Sequence, residues 1–363
     1  MGFTWRSKRM RAGLALAAFA ICTSPVACSL TPARAGAGEL GEAGEHVIHV
    51  TSAIASAPGG LREALQQANK DRVGRKRIVF DLGGNATISV FRALPAVSGS
   101  RIEIDGTGMV LKGGTCVRED GRDGCSGLVI RGTSVTVRNF TSTGFMFDGI
   151  SVIGPRARDV SILSSVFRDN LDDGVGISAA AQHVLVQDCT MTGNGFRTKG
   201  KGVLVFDSST ATLRNNRVRR NRDGVTVSRN AEAVLEHNRI EDNFDKGLGV
   251  SGAVVSGREN IIARNGKHPH EGQAPPNADG LRVGLTSSVK LHDTLIEDNG
   301  DAGVVVLNDS TVILDGGHVI ANAGVGVVAA DNARVSLDRL IVADNAKGQI
   351  HRDENALILG VPR

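Results

Sequence analysis

Three aspartates have the clearest potential for chemistry. Asp148 is followed by glycine, and about one period of an internal repeat later the pair Asp172-Asp173 is also followed by glycine. Carboxylates that are brought together in this way raise each other's pKa values. Such a cluster can share a proton, bind a Ca²⁺ ion or divide the roles of general acid and general base. We therefore take these three aspartates as candidate catalytic residues.

A basic segment follows the aspartates in the chain. Several of its arginines must point outward, because a buried unpaired guanidinium group is costly. Planar guanidinium groups bind carboxylates in a bidentate manner, which suits a uronic-acid polysaccharide. The alternative is a solvated face whose charges are balanced by acidic neighbours. The arginines are Arg214, Arg217, Arg219, Arg220, Arg222, Arg229 and Arg239.

A polar insertion, residues 267–279, contains His268, His270 and Glu271. Its two consecutive prolines predict an exposed loop, and long loops on repeat arrays often carry function. Two histidines and a glutamate can ligate a metal ion. An ordinary surface loop is the alternative.

These residues must be positioned by a repeat that extends over most of the chain. An asparagine recurs at steps of 22 to 34 residues, preceded by an apolar side chain and usually followed by Gly-(Val/Ile/Leu)-x-(Val/Ile). Self-similarity at this period indicates a solenoid. The recurring asparagines are Asn170, Asn194, Asn221, Asn243, Asn265, Asn299, Asn322 and Asn345.

Alternating residues within the repeat, as in Val160-Ser161-Ile162, predict short strands with one buried face. We expect strands of successive coils to pair in parallel, about 4.8 Å apart, so that equivalent residues stack in columns. The asparagines should then form a side-chain ladder at a tight turn, with Asn in the left-handed backbone region. Leucine-rich repeats are the rival solenoid, but their Leu-x-x-Leu-x-Leu pattern is absent from the sequence.

The residue before each repeat glycine should form one such column. It can be interpreted as a charge ladder on a solvated turn, in which each ion pair contributes little, or as part of a binding face. The expected column is Asp148, Asp173, Lys201, Asp223, Lys246, Asp279, Ala302, Ala323 and Lys347. The candidate substrate-binding residues are Phe147, Arg217, Arg222, Asp223 and Lys246.

The N-terminal segment has the features of a secretory signal peptide. A basic stretch precedes an apolar run, residues 12–21, that is too short to span a bilayer. A small-x-small cleavage site ends at Ala35, so residues 1–35 are expected to be removed, with a lipid attached at Cys28 as the less favoured alternative. No later segment reaches transmembrane length. The expected destination is the periplasm, the cell surface or the medium.

The formal net charge of +4 comes from this leader. Removing its five basic residues leaves 37 of the 42 Lys and Arg against 38 Asp and Glu. A global charge for binding nucleic acid is therefore absent, and we expect no nucleic-acid partner. Residues 36–46 are interpreted as a linker and residues 47–363 as one domain, with residues 47–101 forming the N-terminal cap and first coils.

The cysteines agree with an oxidising compartment. Cys116 and Cys125 bracket a polar loop and can pair there. Cys189 lies inside a repeat and is expected to be a small buried side chain.

The sequence GGLREALQQAN, residues 59–69, places four apolar side chains on one face of a helix. Such a helix is suited to cover the exposed end of a solenoid. Together with RIVFDL, residues 77–82, it resembles the opening of secreted right-handed parallel β-helix proteins of the pectin-lyase-like superfamily. The resemblance implies an all-β fold: a right-handed parallel β-helix solenoid with an N-terminal amphipathic capping helix.

The aspartate motifs resemble those of polygalacturonase-type glycoside hydrolases, which share this fold. There an Asn-Thr-Asp-Gly turn is followed one coil later by an Asp-Asp pair. The resemblance implies that Asp148, Asp172 and Asp173 carry out an inverting hydrolysis. The family's Gly-His-Gly element is matched by Gly193-Asn194-Gly195, which lacks the histidine.

Related lyases use Arg or Lys to abstract the proton alpha to the uronate carboxyl group, while Ca²⁺ or another cation neutralises that group. This resemblance implies Lys201, Arg219 or Arg220 as the base. The insertion's His-Pro-His is similar to the Asp-Pro-His element of alginate-epimerase-like β-helices, with Lys267 in place of the aspartate.

The sequence thus predicts a secreted β-helix protein that binds and cleaves an acidic, uronate-containing polysaccharide by lyase or hydrolase chemistry. Ca²⁺ is a candidate cofactor. The alternative, from a different class, is a non-catalytic envelope or extracellular protein that binds glycan along its side.

Overall fold

A computed structural model describes residues 44–83, 85–117, 124–270 and 272–360. The expected signal peptide, the lipid-anchor alternative at Cys28 and Glu271 of the insertion lie outside the described residues. Within the described part, no helix has the length and apolar character needed to cross a membrane.

The described chain forms two parallel sheets, which we call sheet I and sheet II. Sheet I has ten strands: β5 (Leu128–Ile130), β7 (Ile150–Ile153), β10 (Val175–Ser178), β13 (Lys201–Phe206), β16 (Asp223–Ser228), β19 (Leu248–Ser251), β22 (Leu281–Gly284), β24 (Val304–Val306), β26 (Val327–Ala329) and β29 (Ile350–Arg352). Sheet II has twenty strands: β1 (His46–Val50), β2 (Lys76–Phe80), β3 (Thr87–Ser89), β4 (Ile102–Lys112), β6 (Val135–Thr143), β8 (Arg158–Leu163), β9 (Val166–Arg168), β11 (Gln182–Gln187), β12 (Thr190–Thr192), β14 (Thr210–Arg214), β15 (Arg217–Arg219), β17 (Glu232–Glu236), β18 (Arg239–Glu241), β20 (Val254–Arg258), β21 (Ile261–Ala263), β23 (Ser288–Glu297), β25 (Thr311–Ile320), β27 (Arg334–Asp338), β28 (Ile341–Ala343) and β30 (Leu357–Leu359).

Each full coil contributes one strand to sheet I and one long or two short strands to sheet II. Equivalent residues stack in register, so that Val175 lies between Ile150 and Val203 in the neighbouring coils. The predicted alternation is confirmed, because Val160 and Ile162 are buried while Ser161 between them is half-buried. Inward-facing aliphatic side chains from both sheets therefore fill one continuous core.

One helix occurs in the described part, α1 (Leu61–Lys70), as the sequence predicted. Its buried residues are the four expected from helical spacing, Leu61, Ala64, Leu65 and Ala68. The helix contacts β1 and β2, which begin the coil stack. An amphipathic helix therefore covers the apolar residues at the start of the solenoid.

The predicted asparagine ladder is present along eight coils. Each side-chain Nδ2 donates to the Oδ1 of the next asparagine at 2.8 to 3.2 Å, from Asn170 to Asn345. The expected backbone conformation was wrong: the left-handed residue is the one before each asparagine, such as Asp169 (φ 56°) and Arg220 (φ 52°). The ladder asparagine itself must turn its amide inward to bond along the column.

The repeat glycine is required by this ladder. At Gly149 a Cβ would lie 2.7 Å from Asn170 Nδ2, and at Gly247 a Cβ would lie 2.6 Å from Asn265 Nδ2. Only a residue without a side chain lets the amide column pack beneath the start of each sheet I strand. This contact explains why asparagine and glycine recur together.

A second ladder joins the two short strands of sheet II. Cys189 N donates to Asn216 Oδ1, and Asn216 and Asn238 continue the column to Asn260, each bond at 3.0 Å. This second column was not predicted, although its three asparagines each precede an asparagine of the first ladder by five residues. Cys189 is buried, as predicted, and burial raises the pKa of its thiol to about 12.

Candidate functional site

The turn before sheet I brings the three predicted aspartates together. Gly149 N donates to Asp173 O at 2.9 Å, which places Asp148 and Asp173 in adjacent coils. One carboxylate oxygen from each of Asp148, Asp172 and Asp173 lies within 4.8 Å of the other two. We call this group the carboxylate cluster.

Hydrogen bonds orient each member of the carboxylate cluster. Asp148 accepts from Ser151 Oγ through Oδ2 and from Asp173 N through Oδ1, the latter at 3.2 Å. Asp172 Oδ1 accepts from Thr198 Oγ1 at 2.9 Å. Asp173 is only 4% exposed, and its Oδ1 accepts from Lys201 N at 2.6 Å.

Strand β10, next to the carboxylate cluster, has a glycine at the position that faces Asp148. Gly176 lies in register with Ser151 on sheet I. A Cβ at this position would come within 2.7 Å of Asp148 Oδ2. Because Gly176 has no side chain, the space beside the Asp148 carboxylate stays open, whereas any other residue would fill it.

Burial and mutual repulsion raise the pKa values of two members of the carboxylate cluster. Burial, and to a smaller extent the charge of Asp172, raise the pKa of Asp148 to about 6 despite the hydrogen bond from Ser151. Burial raises the pKa of Asp173 well above its usual value, and the charges of Asp148 and Asp172 act in the same direction. The Lys201 ammonium opposes this rise. A bound cation would relieve the same repulsion.

The geometry fits a single Ca²⁺ ion. Ca²⁺ binds carboxylate oxygens at about 2.3 to 2.6 Å, so two ligands of one ion are at most about 5 Å apart. The 4.8 Å limit within the carboxylate cluster satisfies this condition. The donor set, three carboxylates from two adjacent turns, is of the hard oxygen type that Ca²⁺ prefers.

The column along sheet I continues as predicted and then departs from the prediction. Gly247 N bonds to Asp279 O and Gly280 N bonds to Ala302 O, in agreement with the expected order. Gly303 N bonds to Val325 O and Gly326 N to Gly348 O, so Ala323 and Lys347 were wrong. The repeat glycine of that coil is Gly326, because the preceding turn is longer than the one assumed.

Two predicted substrate-binding residues meet farther along this column. Lys246 Nζ lies 3.0 Å from Asp223 Oδ2 and 3.6 Å from Asp245 Oδ2. Asp245 was not predicted, although it precedes Lys246 as Asp172 precedes Asp173. Burial raises the pKa of Asp245. The charge of Lys246 lowers this pKa, and the charge of Asp223 raises it further. Asp223 Oδ1 is buried and has no hydrogen-bond partner among the described residues.

The predicted arginines occupy different places. Arg217 pairs with the buried Glu241 at 2.8 Å. Burial would raise the pKa of Glu241, but hydrogen bonds from Arg264, Arg239 and Arg217 hold it below its usual value. Arg219 lies in register with Glu241 on sheet II, and its buried Nε has no hydrogen-bond partner among the residues that the structure describes. These contacts place Arg217 and Arg219 on sheet II.

The two predicted histidines line an open pocket of about 410 Å³ at the same corner as the carboxylate cluster. We call it the aromatic pocket. Arg222 carries its guanidinium over the Phe244 ring, 5.7 Å from the centroid. The lining residues are Phe196, Arg220, Asp242, Phe244, His268, Pro269 and His270.

The remaining site predictions concern the turn before Asp148. Phe147 is exposed and packs beside Gly124, where a Cβ would lie 2.8 Å from its ring. Cys116 and Cys125 are bonded, with Cα atoms 5.8 Å apart, and Phe147 N donates to Cys125 O. The Cys116–Cys125 disulfide therefore lies beside the turn that carries Asp148.

Comparison with known families and structures agrees with this architecture. A family model described as a right handed beta helix region matches residues 121–266 and 202–356. The chain belongs to this right-handed β-helix family.

Solved structures share the fold of this β-helix protein at low sequence identity. A pectate lyase is 14% identical with a TM-score of 0.52, covering 86% of this chain and 78% of its own. The A-module of a mannuronan C-5 epimerase from Azotobacter vinelandii is 15% identical with a TM-score of 0.55, covering 86% and 96%. The catalytic domain of a GH87 α-1,3-glucanase is 9% identical with a TM-score of 0.56, covering 87% and 68%. No curated protein sequence is detectably similar to the chain.

Proposed function

We propose that this protein is a cation-dependent lyase of an acidic, uronate-containing polysaccharide, and that it acts in the periplasm or outside the cell. The observation that carries the proposal is the convergence of three carboxylate oxygens within 4.8 Å. Similar folds include proteins named for pectate and mannuronan, both uronic-acid polymers, which supports the substrate class.

The spacing of the carboxylates favours cation binding over hydrolysis. Glycosidases place their two carboxyl groups about 5 to 9.5 Å apart, with the glycosidic bond between them. One oxygen from each carboxylate of the cluster lies within 4.8 Å of the other two, and Asp173 is almost fully buried. One cation can therefore reach all three carboxylates, whereas the burial of Asp173 limits its contact with a glycosidic bond.

The chain's own residues support a β-elimination. Asp148, Asp172 and Asp173 would hold Ca²⁺, which when bound neutralises the uronate carboxylate and acidifies the adjacent C5 proton. For this step the Lys201 ammonium first releases its own proton to solvent, and Nζ then accepts the proton from C5. The bond from C4 to the glycosidic oxygen breaks, a C4–C5 double bond forms, and the leaving oxygen takes a proton from water.

Lys201 is the preferred base because of its position. Its backbone N–H binds Asp173 at 2.6 Å, and its ammonium is close enough to oppose the rise in the pKa of Asp173. Arg219 lies on sheet II and Arg220 lines the aromatic pocket. Neither is bonded to the carboxylate cluster.

One panel of assays tests this function. The purified protein is incubated with pectate, alginate and chondroitin, with Ca²⁺ or with EDTA, and both unsaturated products and reducing ends are measured. We expect unsaturated product from one acidic polymer, formed with Ca²⁺ and lost with EDTA. Reducing ends without unsaturation would show hydrolysis instead, and binding without either product would support the non-catalytic glycan-binding alternative.

A further inference from the structure

The aromatic pocket is lined by several aromatic side chains, which are rare in this sequence. The chain has 11 Phe, no Tyr, and a single Trp in the expected leader. Nevertheless Phe196, Phe244 and His270 surround one pocket, with ring centroids 3.9 Å apart for Phe196–His270 and 6.0 Å apart for Phe244–His270. Flat apolar rings of this kind pack against the C–H faces of sugar rings.

The scaffold does not account for Arg220. The position before each ladder asparagine must adopt a left-handed backbone, and other coils fill it with Asp169, Gly193 or Ala321. These small or short residues show that the fold needs no arginine there. The arginine at this left-handed position is therefore explained by the pocket that its side chain lines.

The charge of Arg220 is uncompensated within the described part of the chain. Asp242 is the carboxylate that lines the pocket, and it is already bonded to Arg264 at 2.8 and 3.1 Å. Arg220 is exposed and makes no ion pair with a described residue, whereas Arg264, the other arginine in the same column, is paired. An open pocket with a free guanidinium group selects an anionic ligand.

One loop connects the aromatic pocket to the carboxylate cluster. Phe196 forms a wall of the pocket, and Thr198, two residues later, donates its hydroxyl group to Asp172 at 2.9 Å. Gly200 allows this loop to approach, because a Cβ there would lie 2.4 Å from the Asp172 backbone. Phe244 is three coils from Asp172, which corresponds to about 14 Å along the solenoid.

We propose that the aromatic pocket binds an acidic sugar residue of a polysaccharide chain, with Arg220 pairing with its carboxylate and Phe196 and Phe244 contacting its ring. The choice of a uronate as ligand rests on the proposed function. Binding in the pocket does not require the cation, since none of the three clustered aspartates lines it. A single glycan chain occupies both sites, so the pocket positions the polymer for cleavage at the carboxylate cluster.

Calorimetric titration in EDTA tests the pocket without contribution from the cation site. The probes are tetragalacturonate and tetramannuronate, each compared with its carboxyl-reduced form. We expect the wild-type protein to bind one acidic tetramer at least about tenfold more tightly than its reduced form, corresponding to about 1.4 kcal/mol. Arg220→Asn, which keeps a residue tolerant of left-handed backbone, should abolish that preference.

A matched control is available in Arg101→Asn. Arg101 is exposed, has φ 55° against 52° for Arg220, and lies outside the aromatic pocket. This variant should bind like the wild type. Phe196→Ala should weaken the acidic and the reduced tetramer equally, because it removes ring contact and leaves the charge.

The inference is overturned if Arg220→Asn binds the acidic tetramer as tightly as the wild type, if both forms of the tetramer bind equally, or if neither tetramer binds. Failure of the proposed lyase function is a separate result. It is seen as an absence of Ca²⁺-dependent unsaturated product, even when the pocket binds the acidic tetramer in EDTA.

Discussion

At the scale of single residues, Asp148 is held in an environment that opposes its charge. It accepts a hydrogen bond from Ser151 and another from the backbone of Asp173, yet burial and Asp172 raise its pKa to about 6. A carboxylate whose pKa is raised by burial and by like charges is a candidate for a functional role. Paired surface carboxylates such as Glu236 instead have a lowered pKa, here because Arg214 and Arg258 donate hydrogen bonds to it.

The first prediction concerns removal of charge from the carboxylate cluster. Asp148→Asn and Asp173→Asn should each lower Ca²⁺-dependent cleavage by at least about 100-fold, because each variant removes a charged ligand. The Tm in EDTA should stay equal or rise, since repulsion is relieved. Asp207→Asn, an exposed aspartate at another turn with φ 54°, is the control and should change neither quantity. A variant that loses only stability would show that the carboxylates are a structural ladder.

The second prediction concerns pH. The pKa of Asp148 is raised from 3.8 to about 6 in the fold, so the native state binds this proton more tightly than the unfolded chain. Its contribution to stability is therefore largest below about pH 4 and is lost as the pH rises toward about 6. The rise in Tm caused by Ca²⁺ should grow over the same window, because the cation needs ionised ligands.

Thermal unfolding in EDTA and in Ca²⁺, across about pH 4 to 8, measures this effect. The difference between the wild type and Asp148→Asn isolates the single group from other carboxylates. A Ca²⁺ effect that is constant with pH would contradict the assignment of the cation to these ligands.

At the scale of elements, the turn before sheet I is the unit that matters. It combines a left-handed residue, a buried ladder asparagine and a glycine against which the amide packs. The ladder and helix α1 were predictable, because periodic asparagines and helical spacing of apolar residues are visible in one dimension. The left-handed position was not, because it depends on which residue must turn its side chain inward.

The third prediction tests the ladder. Asn243 bonds Asn221, Asn265 and the carbonyl of Val218. Asn243→Ala leaves buried donors and acceptors unpaired on both sides and should lower the free energy of unfolding by about 3 kcal/mol. Asn355→Ala, at an exposed turn, should have almost no effect. Chemical denaturation of both variants provides the comparison, and equal stability would disprove a structural role for the ladder.

At the scale of the whole molecule, the solenoid turns distant sequence positions into neighbours. Asp148 and Asp173 meet because each coil advances by about 4.8 Å, and the same stacking builds the flat face of sheet I. The parallel strands of sheet I hold the side chains of successive turns next to one another in an extended row. That arrangement suits a long polymer better than a small molecule.

The fourth prediction concerns the destination of the chain. When the full sequence is expressed in a Gram-negative host, the mature protein should begin at Gly36 and be found outside the cytoplasm. Cell fractionation and mass spectrometry of the intact protein measure both. A mature chain that begins with a lipid-modified Cys28 would establish the alternative anchor.

The sequence by itself determined the repeat, the strands, the capping helix and the column that carries Asp148 and Asp173. It did so because parallel stacking gives every coil nearly the same environment, so that each coil shows the same pattern. Only the tertiary structure decided that Arg220, Phe196 and His270 share a pocket, and that Arg217 faces Glu241 on sheet II. Those contacts depend on the paths of turns of unequal length and of the insertion. The path of a turn is set by contacts that do not repeat from coil to coil.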